Sequence, residues 1–290
     1  MVDPQPSVPT AEATDRLLDA VNALLAIGTF DTSDTALLGK MVASLADGRG
    51  MVRLGLVEAF GKIGLPAVPM LLEGLSHHPN PVVRRSCGKA LAKTSDPRAV
   101  PVLIEALLHD EDTVVRSSAA GALAKMGEAA VPQLIALLTS EHSETAKGHA
   151  AWALAFMGTE VAEHLYAAYT HPAAAVRTAV VAAVANLTQE TTDERAVALL
   201  ECALTDSAPG VRAEAAAALG TLAHQPAVPL LVEQLADPSP EVRKSAALAL
   251  AKIGDPTSLG PLEAQLARES GELRRVVAVA LAQLQKRAMA

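Results

Sequence analysis

The sequence predicts an all-α fold: a right-handed α-solenoid of about eight stacked helix pairs, each roughly 31 residues long, behind an N-terminal capping pair. Three observations carry this. An apolar residue followed by a cation recurs at Arg53, Arg84, Arg116, Lys147, Arg177, Arg212, Arg243 and Arg274, at spacings of 31, 32, 31, 30, 35, 31 and 31 residues. Hydrophobic residues make up 50% of the chain but aromatic ones only 2%, so the apolar mass is mostly Ala, Leu and Val, which suits thin helices packed close together. Aligning the units on the recurring cation gives a column of Ala59, Ala90, Ala122, Ala153, Ala183, Ala218, Ala249 and Ala280. A methyl group at each level lets neighbouring helices approach closely.

The elements follow in chain order. Residues 1–10, with Pro4, Pro6 and Pro9, read as a disordered arm. Residues 11–46 read as a degenerate capping pair, with Leu17, Val21, Leu24 and Leu25 marking one helix and Leu37, Leu38, Met41, Val42 and Leu45 the other. Residues 47–290 form the repeats. In residues 237–268, turn residues Asp237 to Pro240 open a helix with apolar positions Val242, Ala246, Ala249, Leu250 and Ile253. Gly254 and Pro256 stop it, and a shorter second helix follows. The second helices at Ala67–Leu71, Ala99–Leu103 and Ala227–Leu231 begin with Ala-Val-Pro, a proline tolerated where the first N–H groups have no helical acceptor. The single 35-residue spacing places a longer loop at 189–195. The repeated Arg is expected to bond carboxylates or helix-end carbonyls of the adjacent unit, forming a ladder.

Charge and motifs narrow the function. A net charge of −8 with no basic run argues against nucleic acid. Cys87 and Cys202 form neither a zinc motif nor a disulfide framework, which suits a reducing cytoplasm. No basic-then-apolar leader opens the chain, and no apolar run approaches the roughly 20 residues of a membrane span. No phosphate loop, Cys-x-x-Cys or serine elbow is present. No catalytic or metal-binding residues are expected.

One segment departs from the repeat. Trp152, Phe156, Tyr166 and Tyr169 are four of the six aromatic residues of the chain. Phe156 shares a column with Lys62, Lys93, Lys125, Asn186, Thr221, Lys252 and Gln283, otherwise all polar. Spacings of three and four residues place His149, Trp152 and Phe156 on one helix stripe facing away from the alanine column. Two readings compete: the rings fill irregular packing, or they form a partner-binding patch, for which Trp and Tyr are favoured anchors because they bury area while keeping a polar atom. In the second helix of the same unit, His164 stands in the column of Leu71, Leu103, Leu134, Leu200 and Leu231, which reads as a core histidine. Tyr166 stands with Glu73, Glu105 and Glu233, and Tyr169 fills a nearby gap. Those glutamates and tyrosines are further candidates for partner contact, with a solvated acidic face as the plain alternative. Cys202 shares the glutamate column and is a candidate thiol site.

The phrases DPSPEVRKSAALALAKIGDP (237–256) and HPNPVVRRSCGKALAKTSDPRAVPVLIEAL (78–107) resemble HEAT-like repeats. More narrowly they resemble the PBS-lyase type, found in phycobilin lyase subunits and phycobilisome-degradation proteins. Residues 147–155, KGHAAWALA, resemble the family phrase RYYAAWWLG through Ala150, Ala151, Trp152 and Leu154. Gly148 and His149 replace its paired tyrosines and Ala153 its second tryptophan. The resemblance implies a non-catalytic cytoplasmic scaffold that binds a protein partner, such as a phycobiliprotein or a factor in phycobilisome assembly or turnover, and that pairs with another HEAT-like subunit. The alternative it implies is a lyase subunit or chaperone that attaches or removes a bilin. Other relatives assist iron–sulfur cluster assembly, for which Cys202 is the residue at hand. Deoxyhypusine hydroxylases, of similar fold, bind iron through His-Glu pairs, and no such dipeptide occurs here.

Overall fold

The computed structural model describes residues 9–190 and 193–288. Seventeen α-helices and five short 3-10 turns make up the secondary structure among the described residues, with no strand. The expected arm therefore lies outside the described residues up to position 8.

The chain divides into two units, one ending at Ala153 and the other beginning at Leu154. The first holds α1 (Ala11–Ala26), α2 (Thr35–Ser44), α3 (Gly50–Ile63), α4 (Val68–His77), α5 (Pro81–Thr94), α6 (Ala99–His109), α7 (Thr113–Leu123), α8 (Val131–Leu138) and most of α9 (Glu144–Ala155). The second holds α10 (Ala162–Ala168), α11 (Ala174–Glu190), α12 (Glu194–Ala203), α13 (Pro209–Thr221), α14 (Val228–Gln234), α15 (Pro240–Ile253), α16 (Leu259–Arg268) and α17 (Gly271–Ala288).

The turn chemistry fixes where helices begin and end. Asn80 Oδ1 accepts from Val82 N at 2.8 Å, and Asp112 Oδ1 accepts from Val114 N at 2.8 Å, each satisfying an N–H that the helix leaves open. Gly254 ends α15 with φ 84°, a left-handed conformation that glycine adopts without strain. Helix α11 behaves differently. It runs for 17 residues where α3, α5 and α15 each have 14, because the chain does not take a positive φ two residues after Asn186, as it does at Gly64, Ser95 and Gly254. The extra residues of the 35-residue unit thus mostly lengthen a helix. The expected loop at 189–195 is shorter than the sequence suggested, and Thr191 and Thr192 within it lie outside the described residues.

The alanine column is core throughout, with none of its eight members more than 6% exposed. A close approach joins α13 and α15, where Gly220, two residues beyond Ala218, meets Ala249 of the column. A Cβ placed on Gly220 would lie 2.5 Å from Ala249 Cα, so only glycine fits there.

The arginine column forms the expected ladder, with both kinds of acceptor at once. Arg84 donates from Nε and Nη2 to Asp110 at 2.8 and 2.9 Å, and from Nη1 to the carbonyl of His78, six residues back, at 3.0 Å. The carbonyl of Asp110 in turn accepts from Arg116 Nη1 at 2.6 Å. In the second unit the chain of bonds is longer. Arg177 binds Asp206, Arg212 binds Asp237 and Arg243 binds Glu269, each through Nε and Nη2. The carbonyls of Asp206 and Asp237 accept from Arg212 and Arg243. Each turn acid thus serves one arginine with its side chain and the next with its backbone.

Four positions depart from this scheme, one of them Ser140, whose Oγ accepts from His142 N at 3.3 Å where other turns have an acid. Lys147 pairs instead with Glu144 on its own helix at 3.2 Å. At two turns the acid is a histidine: His78 Nδ1 accepts from Asn80 N, and His171 Nδ1 accepts from Ala173 N, both at 3.1 Å. These bonds copy the one that Asp110 makes to Asp112 N at 2.9 Å. A neutral imidazole can replace the turn-closing acceptor, but it offers no carboxylate to an arginine.

Candidate functional site

Helix α9 carries the departures that the sequence singles out. Trp152 lies on it beside the fully buried Ala153 and is 45% exposed. Phe156 is 55% exposed and follows the last residue of the helix. Its column mates Lys62, Lys93, Lys125, Thr221 and Lys252 are exposed as well, so each ring occupies a position that faces solvent. His149 differs: it is half-buried, and its Nδ1 is enclosed with no hydrogen-bond partner. His142 lies edge-on to His109, with ring centroids 6.1 Å apart.

The second helix of this unit corrects the column assignment. Leu165 is 0% exposed and holds the core position, while His164 is exposed and is not a core histidine. The reason is a register slip of one residue. Leu71, Leu134 and Leu165 each lie seven residues beyond a glycine, Gly64, Gly127 and Gly158 respectively. That spacing is the signal the cation-based alignment missed. Tyr166 and Tyr169 move with it, and neither shares the Glu73 column.

Tyr166 is half-buried and tied to α12. Its hydroxyl donates to Asp193 Oδ2 at 3.0 Å, and the Arg195 guanidinium lies 4.9 Å from its ring centroid. Arg195 also pairs with Glu163 at 2.7 Å. Burial and the bond to Asp193 push the Tyr166 hydroxyl up to about 12. The side-chain and backbone bonds from Arg195 lower Asp193 to about 2. Tyr169 is half-buried and also raised to about 12, chiefly by burial, with Cys202 and Asp206 beside it. Both tyrosines thus remain phenols at neutral pH. Glu73, Glu105, Glu233 and Cys202 are exposed, and Glu73 pairs with His77 at 3.2 Å. Cys87 is fully buried, which pushes its thiol up to about 12. Among the described residues, no group of three or more His, Cys, Asp or Glu is placed to hold a metal ion, and no single helix is long and apolar enough to cross a membrane.

The sequence matches the HEAT-repeat family over residues 40–124, 68–155, 108–185 and 196–282. The chain belongs to the HEAT-repeat family. Within it, 82 residues are 39% identical to a bilin biosynthesis protein, MpeU, of Synechococcus sp. (strain WH8020), a match covering 28% of either chain. Kap121p is similar in fold, with a TM-score of 0.51 at 11% identity, over 98% of this chain and 45% of that one. The CpcE–CpcF complex of phycocyanin lyase from Nostoc sp. PCC7120 matches at a TM-score of 0.32 and 22% identity, over 64% of this HEAT-repeat chain and 99% of that one. The family and the local similarity both agree with the resemblance read from the repeat phrases.

Proposed function

We propose that this HEAT-repeat chain is a non-catalytic cytoplasmic scaffold whose partner is a phycobiliprotein or a factor in its assembly or turnover. The observation that carries a partner-binding role is the exposure of Trp152 and Phe156 in columns that are otherwise polar or variable. A core explanation does not suit a ring at a level where four other units place lysine. Large rings held at a protein surface are favoured anchors, because each removes much apolar area from water on binding. The 82-residue similarity to a bilin biosynthesis protein supports the choice of partner.

A second reading, a bilin lyase subunit paired with another HEAT-like chain, draws on the same similarity and on KGHAAWALA around Trp152. There the tetrapyrrole is a substrate. Titrating the purified chain with phycocyanobilin, and separately with apo- and holo-phycocyanin subunits, discriminates the two. The scaffold reading expects saturable binding of the protein subunits, weakened by Phe156→Lys, with the bilin absorption spectrum unchanged. A shifted spectrum on adding free bilin moves the assignment to the lyase reading. Binding of neither ligand sinks both.

A further inference from the structure

The second unit contains a hollow of about 280 Å³ between α11 and α13. Ala182 and Ala217 are two of its walls. In other units their column carries Glu58, Lys89, Gly121, Trp152, Leu248 and Val279, so two successive alanines leave space that a larger side chain takes in five of those six units. Glu214 enters this space, where the matching positions are mostly small: Gly55, Ser86, Ser118, Ala179 and Ser245.

The hollow is rich in acceptors and poor in cations. Asn186 spends its amide N–H on Ala155 O at 2.8 Å, which leaves its Oδ1 as an acceptor. Gln189 and Thr221 complete the polar lining. The Thr221 hydroxyl bonds Ala217 O at 2.9 Å, and Lys252 donates to it at 3.1 Å without pairing with Glu214. Among the described residues no Lys, Arg or His forms an ion pair with Glu214. In the first unit, by contrast, the carboxylate of Glu58 on the same kind of face is met by Lys93 Nζ of the next repeat at 2.8 Å; the residue in that place relative to α13 is Lys252, which bonds Thr221 instead. Burial accordingly raises the Glu214 carboxyl above the usual carboxylate range. A partly desolvated carboxylate with no counter-charge, in a cavity of side-chain size, is a site awaiting a cation.

We propose that the Glu214 hollow binds an organic cation bearing N–H donors, an ammonium or guanidinium group, supplied by a small amine or by a lysine or arginine side chain of a protein. The donors would meet the carboxylate and the amide oxygens of Asn186 and Gln189, and the alkyl stem would lie against Ala182 and Ala217. Nothing in this inference depends on Trp152 or Phe156, so failure of the scaffold reading leaves it standing.

The test titrates the full chain, followed by NMR or calorimetry, with n-butylammonium, ethylguanidinium, spermidine and a lysine-rich peptide. Tetramethylammonium, which has no N–H, is the control. Saturable binding of the free amines identifies a small-molecule site, and binding of the peptide alone identifies a partner's side chain. In either case Glu214→Gln is expected to bind about tenfold more weakly or worse, for loss of one charge-assisted pair. Ala217→Leu, which fills the hollow, is expected to abolish binding. Equal affinity in Glu214→Gln, equal binding of tetramethylammonium, or no saturable binding of any cation overturns the proposal. Glu214→Gln is expected to melt no lower than the parent chain, so a loss of binding is not a loss of fold.

Discussion

Arg212 holds both carboxylate oxygens of Asp237, at 2.8 and 2.9 Å, while its third nitrogen reaches the Asp206 carbonyl at 2.8 Å. The two side chains are only 15% and 7% exposed. A planar fork on a carboxylate is among the strongest pairings available to side chains. Removing one partner leaves a desolvated charge, so Arg212→Ala is expected to cost about 3 kcal/mol or more in a urea titration. The double variant with Asp237→Ala is expected to cost clearly less than the two single losses added together. Additive losses would show that the pair is not coupled.

The ladder also sets an acid limit. The bonds from Arg177 and Arg243 hold Asp206 and Glu269 below the usual carboxylate range. At Asp237 burial pushes upward, but the bonds from Arg212 and Ser239 N–H outweigh it, and the net shift is again downward. A carboxyl lowered by folding contributes stability that is complete above its unfolded value and is lost as pH falls through the folded one. His78 is lowered too, by burial and by the charge of Arg84. Its contribution begins to fade as pH drops below its ordinary value of 6.5. Melting temperature is therefore expected to fall in two steps, one starting near pH 6.5 and a second below about pH 4. A flat profile between pH 7 and 5 would rule out the histidine step.

His78→Asp is expected to remove the first step. It also gives Arg53 the carboxylate that the Asp110 position gives Arg84, while keeping an acceptor for Asn80 N. At pH 7 the gain is expected to be about 1 kcal/mol, read as a higher midpoint in urea. No gain would mean that Arg53 cannot reach the turn of the following repeat.

Ala153 and Ala151 make an internal comparison. Ala153 is 0% exposed on the alanine column, whereas Ala151 is half-buried. Ala153→Leu is expected to cost about 1–3 kcal/mol through overpacking, and Ala151→Leu much less. Equal melting shifts would put the wrong face of α9 in the core.

Trp152 is the only tryptophan in the sequence, so its fluorescence reports one position. At 45% exposure its emission is expected to be red-shifted and quenched by acrylamide. Phe156→Lys, which restores the residue at Lys62, Lys93, Lys125 and Lys252, is expected to leave the melting temperature nearly unchanged. It is expected to weaken partner binding by about 2 kcal/mol. Blue, unquenchable emission together with unfolding of Phe156→Lys would make both rings core.

Much of this was legible because repetition lets one unit interpret another. The alanine column and the arginine ladder both come from lining up eight near-copies. Legibility failed where a unit broke step. Aligning on Lys147 put His164 in the core, although counting from Gly158 would have chosen Leu165. The lengthening of α11 was read as a loop, since a count of residues does not show that the chain omits the left-handed residue that stops the helix at Gly64, Ser95 and Gly254. Glu214 drew no attention because its significance lies in what surrounds it: two alanines on separate helices and a lysine, Lys252, that bonds Thr221 instead of the carboxylate.

The shared turn acid behaves as a socket and the arginine six residues later as a plug. A repeat carrying both, such as those of Asp206 with Arg212 and Asp237 with Arg243, presents the same fitting at each end. Such a repeat can be duplicated, deleted or exchanged in whole units without leaving an unmatched charge. A repeat with histidine in the turn lacks the socket and cannot accept the arginine before it in the same way. His78, His171 and Ser140, none of which offers a carboxylate, therefore mark places where the order of repeats is fixed, and where insertion of a further copy is least tolerated.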